Sequence, residues 1–245
     1  MNNLKEKSLG VIVAENHRAA VVFEKYHLDF CCKGKRTLQQ ACQESSLPVE
    51  EITAALESSF ESGSCIVAPS FSRLSLTQLI HYIVSIHHDY VKQEMPVIRT
   101  WLQRVASKHG DRHPEMVQVF HLFDELMNEM TEHMKKEELV LFPRIQEVEA
   151  ESLSGSKNEQ SLSFLQSPIQ MMEHEHDHAG NLLDKMDQLT NDFDPPADAC
   201  TTFRLALAGL KAFEMDLHQH VHLENNILFP KAIELFKNPQ NTKLN

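Results

Sequence analysis

Two stretches of this chain carry the same donor residues at the same spacing: His133-Met-Lys-Lys-Glu137-Glu-Leu-Val-Leu-Phe142-Pro143-Arg and His220-Val-His-Leu-Glu224-Asn-Asn-Ile-Leu-Phe229-Pro230-Lys. Each reads H-x3-E-x4-F-P with a basic residue after it. A His-Asp dipeptide precedes each copy: His88-Asp89 lies 45 residues before His133, and His176-Asp177 lies 44 before His220. A duplicated helix pair is the simplest source of such a period. Four imidazoles and two carboxylates form a ligand set for two metal ions. With no cysteine among them, nitrogen and oxygen donors suit iron or manganese better than a structural zinc.

For these donors to converge they must lie on the inward faces of helices. Residues four apart on a helix stand one turn above each other, with Cβ atoms roughly 6 Å apart. The 245 residues include only 7 glycines, show no period-two Val/Ile/Thr runs and are rich in Leu, Met, Glu, Lys, Gln and Ala, so an all-α fold is expected. Four long helical patterns follow Arg73. The first runs from Leu74 to His109, with Val84, His88, Val91, Met95, Ile98, Leu102 and Val105 on one face. The second runs from Pro114 to Glu149 and lines up Met130, His133, Glu137 and Val140. The third runs from Phe164 to Leu189, with Met172, His176, Ala179, Leu183 and Met186 in register, and Asp194-Pro-Pro196 breaks it from the next. The fourth runs from Ala197 to Phe236 and carries Leu210, Phe213, Leu217, His220, Glu224 and Ile227. Short links between long helices predict an up-down-up-down four-helix bundle over residues 74–237.

The apolar stripes choose among 15 histidines. His88, His133, His176 and His220 share a stripe with core residues, whereas His87, His174, His178, His218 and His222 fall beside it. His81, a heptad before His88, is expected to face inward in a hydrogen-bonded core role. Glu137 and Glu224 on inward stripes would be buried carboxylates, which are costly without cations. Two bridging carboxylates, two histidines per ion and a bridging oxide or hydroxide would leave one position open on each ion. Glu129, one turn before His133, and Glu175, beside His176, are candidates to fix a histidine tautomer or to serve as stepping stones for a metal ion leaving the site. Phe142 and Phe229 are expected to pack above the site, and Pro143 and Pro230 to kink or end their helices.

Residues 1–66 read as a small helical domain, with Leu9, Val13, Ala20, Phe23, Leu38, Cys42, Ile52, Leu56 and Phe60 on short amphipathic segments and a turn-rich linker from Glu61 to Ser70. Cys31 and Cys32 sit next to Lys33, Lys35 and Arg36. Neighbouring cations and a helix N-terminus lower a thiol pKa, so this pair is expected to be a redox or iron-handling dithiol. Cys42, Cys65 and Cys200 are expected to be structural. An odd count of 5 cysteines does not form a secreted disulfide framework. A net charge of −12 argues against nucleic acid as a partner. No run reaches the ~18 apolar residues needed to span a bilayer, and no signal-peptide pattern opens the chain. A cytoplasmic protein without a membrane partner is expected.

The His-Asp, H-x3-E and Leu-Phe-Pro pattern resembles hemerythrin-like di-iron bundles. Together with Asp29-Phe-Cys31-Cys32-Lys-Gly34-Lys, Met172-Glu-His-Glu175-His176-Asp-His-Ala-Gly180 and Leu223-Glu-Asn-Asn-Ile-Leu-Phe-Pro230, the whole chain resembles the Repair of Iron Centers family. Where that family has Cys-Cys-Gly-Gly, this chain has Lys33 in place of the first glycine. The resemblance implies a di-iron centre at positions His88, His133, Glu137, His176, His220 and Glu224. It implies repair of iron-sulfur clusters damaged by nitric oxide or peroxide through donation of iron, with damaged or apo iron-sulfur proteins as partners, and a homodimer. Two alternatives compete with that reading. One is a di-iron nitric oxide or peroxide reductase with Cys31 and Cys32 as electron relay; the other is a carrier or sensor of dioxygen or nitric oxide.

Overall fold

A computed structural model describes residues 4–61, 71–155 and 162–238. Cys65, most of the expected linker, the end of the polar loop after Glu151 and the tail beyond Asn238 lie outside the described residues. The described elements are helical throughout, apart from one isolated antiparallel bridge between Ser8 and Thr37. They comprise α1 (Leu9–Glu15), α2 (Arg18–Lys25), α3 (Leu38–Glu44), α4 (Val49–Glu61), α5 (Leu76–Tyr82), α6 (Asp89–His109), α7 (Glu115–Lys136), α8 (Phe142–Ser154), α9 (Ser163–Thr190), α10 (Thr201–Leu223) and α11 (Phe229–Lys237). Among the described residues no helix is long and apolar enough to cross a membrane.

The chain divides into two compact units, Met1–Leu79 with Val148–Asn158 and His218–Asn245, and Ile80–Glu147 with Glu159–Leu217. The second unit is a four-helix bundle of α6, α7, α9 and the part of α10 up to Leu217. Val91, Met95, Ile98, Leu102 and Val105 on α6 are buried at the expected spacing, and α7 packs against both α6 and α9. The short link over 110–114 makes α6 and α7 antiparallel neighbours. On α10, Gly209 lets the backbone approach α6, where an added Cβ would stand 3.1 Å from Ile98 and 3.3 Å from Trp101. Below it Phe213 meets Phe123 of α7 edge to face at 5.6 Å. The break after α9 comes earlier than Asp194-Pro-Pro196, because Asn191, Asp192 and Phe193 all adopt positive φ.

Among the described residues three π-helical turns interrupt the long helices, at Ile83–His88, Glu137–Leu141 and Glu224–Leu228. Each inserts one residue into the α ladder, so a count of threes and fours carried across the turn loses register with the buried face. The first turn corrects the expectation for His81. Leu79 and Ile83 take the inward places, while His81 is exposed and Val84 only half-buried. The second turn corrects Val140, which is 43% exposed while Leu141 is 1% exposed. Pro143 and Pro230 lie in the first turn of the helices that resume afterwards, α8 and α11, where the missing N–H is least felt.

In the first unit α2 and α3 pack on α4, and the turn Glu224–Leu228 packs on α1 and α11. Leu9, Ile12, Phe23, Phe30, Leu38, Ile52 and Leu56 form its core. Ser8 caps α1 at Val11 N, and Thr37 with Gln40 forms a capping box on α3. The start of α5 is capped from a distance. Glu149 of α8 accepts from Leu76 N at 2.7 Å, Thr77 N at 2.9 Å and Thr77 Oγ1 at 2.6 Å. Glu149→Ala is therefore expected to destabilise the protein by about 1–2 kcal/mol, the range for losing a charged cap. Hydrogen exchange at Leu76 and Thr77 checks this; unchanged protection of those two amides would refute the capping role.

Candidate metal centre

The second unit brings four of the expected ligands together. Glu137 is fully buried at the start of its π turn, with Oε2 at 3.4 Å from His88 Nε2 and 3.3 Å from His133 Nε2. His176 Nε2 lies 3.0 Å from His133 Nε2, and His133, Glu137 and His176 each offer a ligand atom within 4.8 Å of the others. In the first unit His220 and Glu224 are fully buried on successive turns, with Nε2 and Oε1 3.0 Å apart. Phe142, expected to pack above the site, stacks on His88 with ring centroids 5.7 Å apart.

The outer faces of two imidazoles determine what their inner faces can do. His88 Nδ1 stands 2.8 Å from Glu138 Oε1, and Lys92 Nζ holds the same oxygen at 2.7 Å. His133 Nδ1 stands 3.0 Å from Glu175 Oε2, and Lys136 Nζ holds Oε1 at 2.5 Å. Burial pushes the Glu138 carboxyl up, but the Lys92 and His88 hydrogen bonds outweigh it and hold it below its usual range. Glu175 is held at about 2, first by its hydrogen bond to His133 and then, against burial, by Lys136. An ionised carboxylate at Nδ1 takes the ring N–H and leaves the Nε2 lone pair inward. Two such lone pairs facing the oxygen of a buried glutamate form a cluster of acceptors. A cation satisfies all of them at once, so the donor set fits a metal ion.

The sequence reading does not single out Glu138, although its position directly after the expected ligand Glu137 is the available signal. Its counterpart in the second copy is Asn225. Glu175 does meet a histidine, but that histidine is His133 and not its neighbour His176. Glu129 meets His178 at 3.1 Å on the surface. His87 is buried beside His88, with Nδ1 2.9 Å from Asp216, because the π turn places two consecutive side chains inside. Glu138→Gln keeps the shape and removes the charge behind His88. It is expected to weaken metal binding by about 10–100-fold in chelator competition; unaltered affinity would show that Glu138 does not support the ligand.

Outside His133 the second unit holds a cavity of about 470 Å3, lined by Glu129, His133, Lys136, His174, Glu175 and His178. In the first unit Asp29 Oδ1 accepts from the backbone of Cys31, Cys32 and Lys33, and folds the thiol loop around itself. Cys31 Sγ and Cys32 Sγ are 3.7 Å apart, with Cys31 donating. The expected lowering does not occur at Cys31. Its hydrogen bond to Cys32, burial and the nearby Asp29 raise its pKa well above the ordinary thiol value. Cys42 is buried, and the exposed Cys200 lies 3.3 Å from His109 Nε2.

The fold and donor set are those of a hemerythrin-like bundle. A family model described as the hemerythrin HHE cation binding domain matches residues 79–232, and a second, ScdA_N, described as a domain of unknown function (DUF542), matches residues 5–59. The protein named iron-sulfur cluster repair protein YtfE from Musicola paradisiaca is 37% identical over 234 residues, covering 94% of this chain and 97% of its own. Its namesakes from Dickeya chrysanthemi and Yersinia pseudotuberculosis are 34% identical over 229 residues and 35% over 230, with the same coverage. The chain belongs to this iron-sulfur cluster repair family. Its hemerythrin domain implies iron binding, and the buried His/Glu groups could hold such a cation.

Proposed function

We propose that this protein carries two iron ions and gives up iron to rebuild iron-sulfur clusters damaged by nitric oxide or peroxide. The ligands are His88, His133, Glu137, His176, His220 and Glu224. The observation that carries this reading is the burial of both repeat glutamates, each accompanied by the histidine four residues before it. Family membership supplies the reaction class.

The chain's own residues define how iron would be kept and released. Glu138 and Glu175 orient the His88 and His133 rings, and Lys92 and Lys136 keep those carboxylates ionised. The cavity outside His133, with Glu129, Glu175 and His178 on its wall, is the exit for a cation. Carboxylate oxygens and imidazole nitrogens there can rebind iron weakly on the way out. The helical module of residues 1–66 carries the dithiol, and the bundle of residues 74–237 carries the metal ligands. Damaged or apo iron-sulfur proteins are the acceptors, in the cytoplasm, and the protein acts as a homodimer.

Mixing the iron-loaded protein with the apo form of a [4Fe-4S] dehydratase tests the reading. Dehydratase activity is expected to return with the wild type and not with His176→Ala. Equal recovery with a metal-free variant would overturn it. The cavity also admits nitric oxide or dioxygen to His133, which favours a second reading as a reductase or sensor. Multiple turnovers of nitric oxide by the reduced protein in stopped flow would support the reductase; one stoichiometric reaction would exclude it.

A further inference from the structure

The two copies of the repeat part company directly after the ligand glutamate. In the first copy Glu138 turns to His88 and Leu139 is exposed. In the second, Asn225 is buried and Asn226 half-buried, and both side chains reach the thiol loop. Asn226 Nδ2 donates to Cys31 O at 3.0 Å and to Phe30 O at 3.2 Å, and Asn225 Nδ2 donates to Cys31 O at 3.4 Å. The seat is closely shaped. A methyl on either Gly10 or Gly34 would collide with the Asn226 side chain, and Gly10 N donates to Gly34 O at 2.9 Å beside it. The carbonyl held by both asparagines belongs to the peptide unit that joins Cys31 to Cys32.

We propose that Cys31 and Cys32 form a reversible vicinal disulfide, and that closing it breaks the hold of Asn225 and Asn226 on the loop and loosens the turn that carries Glu224. This inference deepens the iron-donation reading, because it rests on Glu224 as a ligand. Adjacent Cα atoms across a trans peptide are about 3.8 Å apart, below the usual disulfide span. The sulfurs, 3.7 Å apart, must approach to about 2.05 Å. The eight-membered ring so formed contains the Cys31–Cys32 peptide, which must twist away from its present planar form and swing its carbonyl off the asparagines. Strained disulfides of this kind are the readily reduced, regulatory ones.

The oxidant is a peroxide. Cys32 Sγ, the more exposed sulfur, attacks one peroxide oxygen; the O–O bond breaks, a sulfenic acid forms and one water leaves with the thiol proton. Cys31 Sγ then attacks Cys32 Sγ; the S–S bond forms, the S–O bond breaks and a second water leaves with the Cys31 proton. Two thiols and one peroxide give one disulfide and two waters, with two electrons passing from sulfur to oxygen. Oxidative stress would thus release the iron that repair requires.

The first arm of the test uses the metal-free full-length protein and one equivalent of hydrogen peroxide. Mass spectrometry should show loss of two hydrogens from the peptide holding both cysteines. Amide exchange over residues 224–228 should quicken about tenfold, the effect of losing hydrogen bonds of ordinary net strength. A disulfide without faster exchange, or oxidation that bypasses the disulfide, would overturn the proposal. In the second arm the iron-loaded protein is oxidised with diamide, which spares the metal, and iron loss to a chelator is timed. Release should accelerate about tenfold in the wild type by the same argument and return to its former rate on thiol reduction. It should stay slow in Cys32→Ser and fast in Asn226→Ala whatever the thiol state; equal rates in oxidised and reduced wild type would refute the gate. Failure of the protein to load iron would refute the ligand role of Glu224 and leave the exchange arm to decide the coupling.

Discussion

Glu137→Gln is expected to abolish stable iron binding while leaving the metal-free protein at least as stable as the wild type. Glu137 is fully buried, with two imidazole nitrogens within 3.4 Å of the same oxygen. A carboxylate moved from water into such a site loses several kcal/mol of hydration, which a bound cation or a proton offsets. The amide of Gln has the same shape, carries no charge and offers an N–H to the inward Nε2 lone pairs. It therefore removes the ligand and the electrostatic penalty together. The metal-free variant should gain on the order of 1–4 kcal/mol, as when buried charges are replaced by neutral groups of similar size. Iron content by mass spectrometry should fall from about two ions per chain, the number held by di-iron carboxylate bundles, to background. Chemical denaturation with and without iron supplies the second readout. The wild type should be stabilised by iron and the variant should not, because only a ligand that binds the folded form shifts the equilibrium. Undiminished loading of the variant would show that Glu137 is a buried structural carboxylate and not a ligand.

Phe213→Ala is expected to cause the largest loss of stability of any single truncation considered. Phe213 has no exposed surface and meets Phe123, also fully buried, edge to face at 5.6 Å. Truncating a buried phenylalanine removes its transfer free energy and leaves a cavity that rigid helices fill poorly, a loss of about 3–5 kcal/mol. For a chain of this size that is a fall in melting temperature of about 6–20 °C. Gly209, one turn earlier, holds the α10 backbone against Ile98 and Trp101, so the helix cannot easily settle inward to close the gap. The double variant with Phe123→Ala should lose less than the sum of the two singles, since the aromatic pair contributes about 0.5–1.5 kcal/mol that only one truncation can remove. Strict additivity in urea unfolding of the metal-free protein would mean that the two rings are energetically independent. Iron should partly restore the melting temperature of Phe213→Ala by mass action.

The helical class and the burial of the expected ligands were legible because they depend on residue type and local spacing. Met172, His176, Ala179, Leu183 and Met186 are buried as the 3.6-residue period requires, while His174 and Asp177 face outward. That reasoning failed at His222, expected beside the stripe of α10 but 2% exposed because its ring packs edge-on against Phe30 at 5.7 Å, and it failed where the period itself changed. His81 and Val140 were assigned by counting threes and fours through Ile83–His88 and Glu137–Leu141, where the ladder bonds span five residues. No residue in those segments announces a π turn. The choice between ladders rests on which side chains the neighbouring helices accept, and the fully buried Ile83 and nearly buried Leu141 show which ones fitted.

Read without coordinates, the chain establishes which side chains can donate to metal, that they come in two equivalent sets, and that helices present them, because all of this follows from chemistry and periodicity within one segment. Tertiary structure alone decided which nitrogen of a histidine faces inward and which group holds its other side. His88 is oriented by Glu138, 50 positions away in sequence, and His133 by Glu175, 42 positions away. It also decided that Asn226 grips the carbonyls before and between the paired cysteines, 195 positions from Cys31. Contacts of that kind arise between helices that are distant in sequence, so no local period encodes them. The packing of one helix on another determines them.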